Sequence, residues 1–145
     1  MLSEVRKPQR VFTIEEATRT LPLVRRVVRD IVEANSRIER LHAVRQGKGR
    51  LDSGGVGLEG DVSVNDNSAI DSRIEDQVRA IDDCLREFDA IGCECKDFRL
   101  GLVDFPAMLD GRVVYLCWKL GESEVAHWHE VDGGFSGRKP VHDAF

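Results

Sequence analysis

No stretch of about 18 apolar residues occurs in the chain, which excludes a membrane-spanning helix. The first ten residues, Met1 to Arg10, are polar and basic and hold no apolar core, so no secretory signal is expected. Cysteine is sparse: Cys84, Cys93, Cys95 and Cys117. Cys93 and Cys95 stand two apart, where a bridge would be strained, and four cysteines in a domain of this size do not make a disulfide framework. A reduced, cytoplasmic setting is the expectation. Positive charge is not in excess either. With 21 basic against 26 acidic residues the net charge is −5, which argues against nucleic acid as a partner. Residues 47–67 hold six glycines and no proline, but neither GxGxxG nor GxxxxGK[ST], and no strand precedes them. They read as a flexible loop and not as a phosphate cradle.

What is present is enough for one domain spanning 1–145: 145 residues, of which 41% are hydrophobic and can form a core without staples. Charge is split along the chain. Residues 1–50 carry 12 basic against 6 acidic residues, and residues 51–145 carry 9 against 20. Two elements of one chain that face each other would use that split.

Hydrophobic spacing supplies the elements. Thr13 and Glu16 form a capping-box pair that opens a short helix to about Arg19. Thr20 offers a second N-cap, with Pro22 in the first turn of a long helix running to about Gln46. Val24, Ile31 and Ile38 are seven apart, as are Val27, Ala34 and Leu41, which makes a coiled-coil-like seam. A second helix is predicted from Ser68, with Asp71 completing a capping pair, to Gly92. Its seam is Ile74, Val78, Ile81, Leu85 and Phe88, and its flanks are acidic where those of the first helix are arginine-rich. Residues 12–92 thus read as an antiparallel helical hairpin.

After Gly92 the period changes to two, and residues 93–132 read as a β-meander. Strands are predicted at 93–97, 100–105, 112–120 and 125–131, with 133–145 a loop and tail. Symmetric closure of the turn at Gly121–Glu124 pairs Trp118 with His127 and Leu116 with His129. Val103, Phe105, Leu116, Trp118, His127 and His129 then share the core face. Asp104, Tyr115, Cys117, Trp128 and Glu130 share the other. A one-residue slip would exchange the faces. The fold class expected is α+β, a long helical hairpin followed by a small antiparallel sheet of three to four strands.

At Gly101-Leu102-Val103-Asp104-Phe105-Pro106, Val114–Glu122, Trp128-His129-Glu130 and Gly134–Arg138 the chain resembles the bacterial and archaeal domain of unknown function 2203. The likeness runs from Phe12 over nearly the whole chain. It implies that Asp104, Arg112, Trp118, Glu122, His129, Gly137 and Arg138 occupy the family's recurring positions. Cys93, Cys95 and His127 lie outside that pattern, and the loop 47–67 is an elaboration. The resemblance brings no activity with it.

Several constellations carry chemistry. His127 and His129 are two apart on a strand, so both imidazoles face one way and could meet one divalent transition metal, with Asp104, Glu122 or Glu130 as the oxygen ligand; the expected register puts Asp104 and Glu130 on the opposite face, which favours Glu122. The alternative is one buried, hydrogen-bonded histidine and one exposed. Cys93, Cys95, His127 and His129 could make a structural zinc site, although CxC is a weak spacing. Cys117 could act as a thiol nucleophile given a cationic neighbour, but on this register it faces away from both histidines. Gly133–Lys139 could cradle an anion through backbone N–H groups and Arg138, or Arg138 could pair with Asp104 or Glu122. Asp104, Arg112, Glu122, Trp128 and Arg138 are therefore the candidate ligand or anion-binding residues. Trp128 with Tyr115 would form a patch on the outer face.

The hairpin carries more apolar surface than one small sheet would cover, so a homodimer forming a four-helix bundle is expected. The leading functional expectation is a cytoplasmic oligomeric interaction or assembly protein with a small-ligand or anion site at the sheet. The alternative is a metal-dependent, hydrolase-like enzyme using His129 and Glu122, with His127 assisting. No membrane or nucleic-acid partner is expected.

Overall fold

A computed structural model describes residues 10–47 and 67–145. The expected loop 47–67 lies, apart from its ends, outside them. Helix α1 (Ile14–Arg45) and helix α2 (Asn67–Ile91) form a hairpin that packs on one face of a five-stranded antiparallel sheet. The strands are β1 (Glu94–Asp97), β2 (Leu102–Leu109), β3 (Arg112–Lys119), β4 (His127–His129) and β5 (Lys139–Pro140), in that spatial order. The α+β hairpin-and-sheet architecture matches the expectation, with five strands in place of three to four. The extra strand is two residues long, and one of them is Pro140, so no alternation marks it in the sequence.

The capping box at Thr13 is complete. Glu16 N–H donates to Thr13 Oγ1 at 3.0 Å, and Thr13 N–H donates to Glu16 Oε1 at 2.9 Å. The predicted break at Thr20 is not there, because α1 is one helix of 32 residues running through Pro22. Thr20 does not cap. Its hydroxyl donates back to the Glu16 carbonyl at 2.5 Å. The proline removes one helical bond, and buried Leu21 and Val24 on either side hold the helix against the core. Ser68, the expected cap, lies within α2, and Asp71 turns to the other helix. It accepts from Arg45 Nε across the hairpin at 2.6 Å. Arg37, Arg79 and Arg86 pair with acids of their own helices, while Arg45 alone of these arginines reaches an acid across the hairpin.

Val24, Val27, Ile31, Ala34 and Leu41 are all buried within the chain. Leu23 and Val78 are the large apolar side chains that the two helices leave exposed among the described residues. The stripe is covered within the chain, by the sheet and α2 around Val24, Val27 and Ile31 and by α2 alone around Leu41, so the apolar surplus from which a coiled-coil homodimer was expected is not there.

Two features of the sheet set the site. Strand β2 continues through Pro106, where 105 was the expected end. The Pro106 carbonyl accepts from Phe12 N–H at 2.6 Å, so the proline's backbone edge faces away from β3 and no β2–β3 ladder bond is lost. The second feature is register. Tyr115 lies opposite His129, Leu116 opposite Trp128 and Cys117 opposite His127. This is the one-residue slip relative to symmetric closure. A turn of Glu122 N–H onto the Lys119 carbonyl, with Trp118 Nε1–H donating to the Glu122 carbonyl at 3.0 Å, curls the chain directly after β3. Val125 then enters the core ahead of β4. The slip also satisfies the hydrophobic effect, since Trp128 gains the dry face and two imidazoles leave it. The face toward the helices is Val103, Phe105, Val114, Leu116, Trp118 and Trp128.

Candidate metal centre

The opposite face of the sheet carries the chemistry. Asp104 on β2 lies directly across from Cys117 on β3, and His129 on β4, opposite Tyr115, shares their face. All three are buried, with exposures of 4%, 1% and 3%. One ligand atom from each, a carboxylate oxygen, Sγ and a ring nitrogen, lies within 4.8 Å of the others. Such burial of polar groups in a sheet face is unusual, because each must find a partner or lose stability.

Hydrogen bonds fix the histidine. Its Nδ1 is 2.6 Å from the Glu130 carbonyl, which can only accept, so Nδ1 carries a hydrogen and donates it. Its Nε2 lies 3.0 Å from Asp104 Oδ1. A single proton is therefore shared along that second contact, and Nε2 is the nitrogen whose lone pair is free once the proton leaves. Burial raises the Asp104 carboxyl above its ordinary 3.8, opposed by its bond to His129. Burial, together with the Asp104 charge, pushes the Cys117 thiol up to about 12. Cys117 is thus a protonated thiol at neutral pH, unsuited to act alone as a nucleophile.

The trio opens onto a cavity of about 480 Å³. Buried Asp104, Cys117 and His129 form its floor, Tyr115 and Phe135 are among its walls, and exposed Glu94, Lys96 and Asp132 stand at its rim. The Tyr115 ring lies 5.6 Å from that of His129. Lys96 is held by Glu94 at 2.5 Å.

The remaining expected residues fall elsewhere. Trp128 is core, 5% exposed and covered by Phe145 and Lys139, not part of an outer-face patch. Arg112 makes a two-pronged pair with Glu130 at 3.0 and 2.6 Å, away from the cavity floor. Glu122 accepts from Arg138 Nη2 at 2.7 Å and from Lys119 N–H at 2.8 Å. Burial works to raise the Glu122 carboxyl, but Arg138, Lys119 and His127 hold it below its ordinary value. Neither Glu122 nor His127 belongs to the group of three. His127 sits opposite Cys117, on the same face as His129, and its Nδ1 is buried without a partner. Cys95 lies opposite Val103 on the helix-facing side, so the two-cysteine, two-histidine arrangement does not assemble.

Two expectations are reversed by the slip. Asp104 and Cys117 were placed away from His129, and they are its partners. The signal that could have found them is the contrast within His127-Trp128-His129: the most apolar of three alternating residues belongs inside. Among the described residues no helix is long and apolar enough to cross a membrane.

No curated protein and no solved structure matches this chain. One family model, described as an uncharacterized conserved protein, does match it over residues 10–141, so the chain belongs to the DUF2203 family.

Proposed function

We propose that this protein binds a divalent transition metal ion through Asp104, Cys117 and His129, and that its activity is metal-dependent and hydrolase-like. The observation that carries the reading is the buried meeting of carboxylate, thiol and imidazole at the floor of an open cavity. Three protein ligands with one open position is the pattern of catalytic zinc sites, where structural sites are closed by four. Donors around such an ion stand about 3.3–3.8 Å apart, given bonds of about 2.0–2.3 Å. Asp104 and His129 are already in contact, and a small contraction brings in Cys117. The Glu130 carbonyl is the outer partner that fixes the imidazole in the required tautomer. A bound ion would supply Lewis acidity to a small ligand entering from the cavity. Glu122 enters this proposal as the partner of Arg138 and not as a ligand.

The test is elemental analysis of the purified chain after equilibration with zinc or cobalt(II). One ion per chain is expected, with a sulfur-to-cobalt charge-transfer absorption. His129→Ala, Asp104→Asn and Cys117→Ser should each abolish stoichiometric binding while the far-ultraviolet dichroism persists. A wild-type chain that takes up no ion at micromolar concentration, or one whose uptake survives all three substitutions, overturns the reading.

A further inference from the structure

The sequence singles out Gly134–Arg138 and Glu122, and the metal reading uses neither. Residues 132–138 run as a strap over the outer face of the sheet, with a 3-10 turn at Phe135–Gly137, and reach β5 at Lys139. Asp132, Gly134 and Phe135 of this strap line the cavity. Arg138 is what ties the strap down. Its Nη2 donates to the Cys117 carbonyl at 3.2 Å and to Glu122 Oε1 at 2.7 Å, and its side chain is only 12% exposed. The guanidinium also stacks 4.7 Å from the centre of the Phe135 ring. Glu122 is itself fixed, because Lys119 N–H donates to its carboxylate and Trp118 and Arg25 donate to its carbonyl. A rigid turn thus presents one carboxylate to one arginine.

We infer that Arg138 is a positioning residue that latches the strap over Cys117, so that the Glu122–Arg138 pair controls access to the candidate metal site. The inference rests on the proposed function for its purpose, since the latch guards a ligand.

Three observations separate a latch from an ordinary surface pair. The pair joins the strap to the turn after β3 across 16 residues, so breaking it frees a segment and not a single side chain. Arg138 Nε is buried with no partner, so the guanidinium is not placed for its own best hydrogen bonding. The strap also contains a point of backbone freedom. Gly134 has φ 60 and ψ −168, a conformation essentially confined to glycine. Both bonds come from the one terminal nitrogen, whose two hydrogens the planar guanidinium holds in fixed directions, where a lysine ammonium would rotate freely.

The experiment is site-resolved alkylation of the four cysteines in the metal-free, full-length chain, with N-ethylmaleimide as the probe and peptide masses as the readout. In Arg138→Met the labelling rate of Cys117 should rise at least about tenfold, while Cys84 and Cys93, buried in the helix-side core, stay within about twofold of wild type. Glu122→Gln should act in the same direction, and it serves if Arg138→Met does not fold. Arg138→Lys should restore protection only in part. An unchanged Cys117 rate overturns the latch, and so does a joint rise at all three cysteines, which would mark global destabilisation. Zinc added to the wild-type chain should slow Cys117 labelling. If zinc has no effect, the metal reading fails and the latch result stands by itself.

Discussion

The two faces of this sheet are built from the same strands and obey opposite rules. Toward the helices, Phe105, Leu116 and Trp118 are wholly buried and make a dry core. One residue along each strand, Asp104 and Cys117 are just as hidden from solvent, yet they are polar and meet a histidine. The first face derives its stability from apolar area removed from water. The second is held together by the hydrogen bonds of His129 to Asp104 and to the Glu130 carbonyl, because a buried polar group that loses its partner is costly. Burial alone therefore does not distinguish structural from functional positions here; the chemistry of what is buried does.

The contrast can be broken most forcefully at Trp118. Trp118→Ala should remove about 3–5 kcal/mol of unfolding free energy, read by denaturant titration with far-ultraviolet dichroism because the fluorescence changes with the residue. If the strap and outer cluster rather than the core dominated stability, the loss would be far smaller. A subtler probe is pH. The Asp104 carboxyl is raised in the folded chain by burial, so the folded state holds its proton to higher pH than the unfolded state does. Its contribution is fully present below the ordinary value of 3.8 and is lost as pH rises through the raised folded value. Subtracting an Asp104→Asn titration from wild type should therefore leave a stability difference that falls across that window and is flat above it. A difference that rises with pH would show that the His129 bond outweighs burial. The smallest effect is expected at Arg112. Its pair with Glu130 is exposed, so Arg112→Ala should leave both the unfolding midpoint and metal uptake unchanged. A marked loss of metal there would extend the site beyond the cavity floor.

The hairpin, its cap at Thr13 and the change of period after Gly92 are legible because each rests on local spacing. Sequence reasoning errs where a local signal meets a tertiary one. Pro22 and Thr20 look like a helix start, and packing of Leu21 and Val24 carries the helix through them. Pro106 looks like a strand end, and the edge contact with Phe12 accommodates it. The site itself is legible as residues but not as a constellation. Asp104, Cys117 and His129 are all visible in the chain, and only the register between β3 and β4 decides that they meet. That register depends on how the turn at Glu122 closes, and its one local sign is Trp128 standing between two histidines.

The segment 120–126 therefore has a fixed length even where its residue types are free. Adding or deleting one amino acid there would send Trp128 outward and both imidazoles inward, dismantling the hydrophobic interior and the polar cluster in a single step.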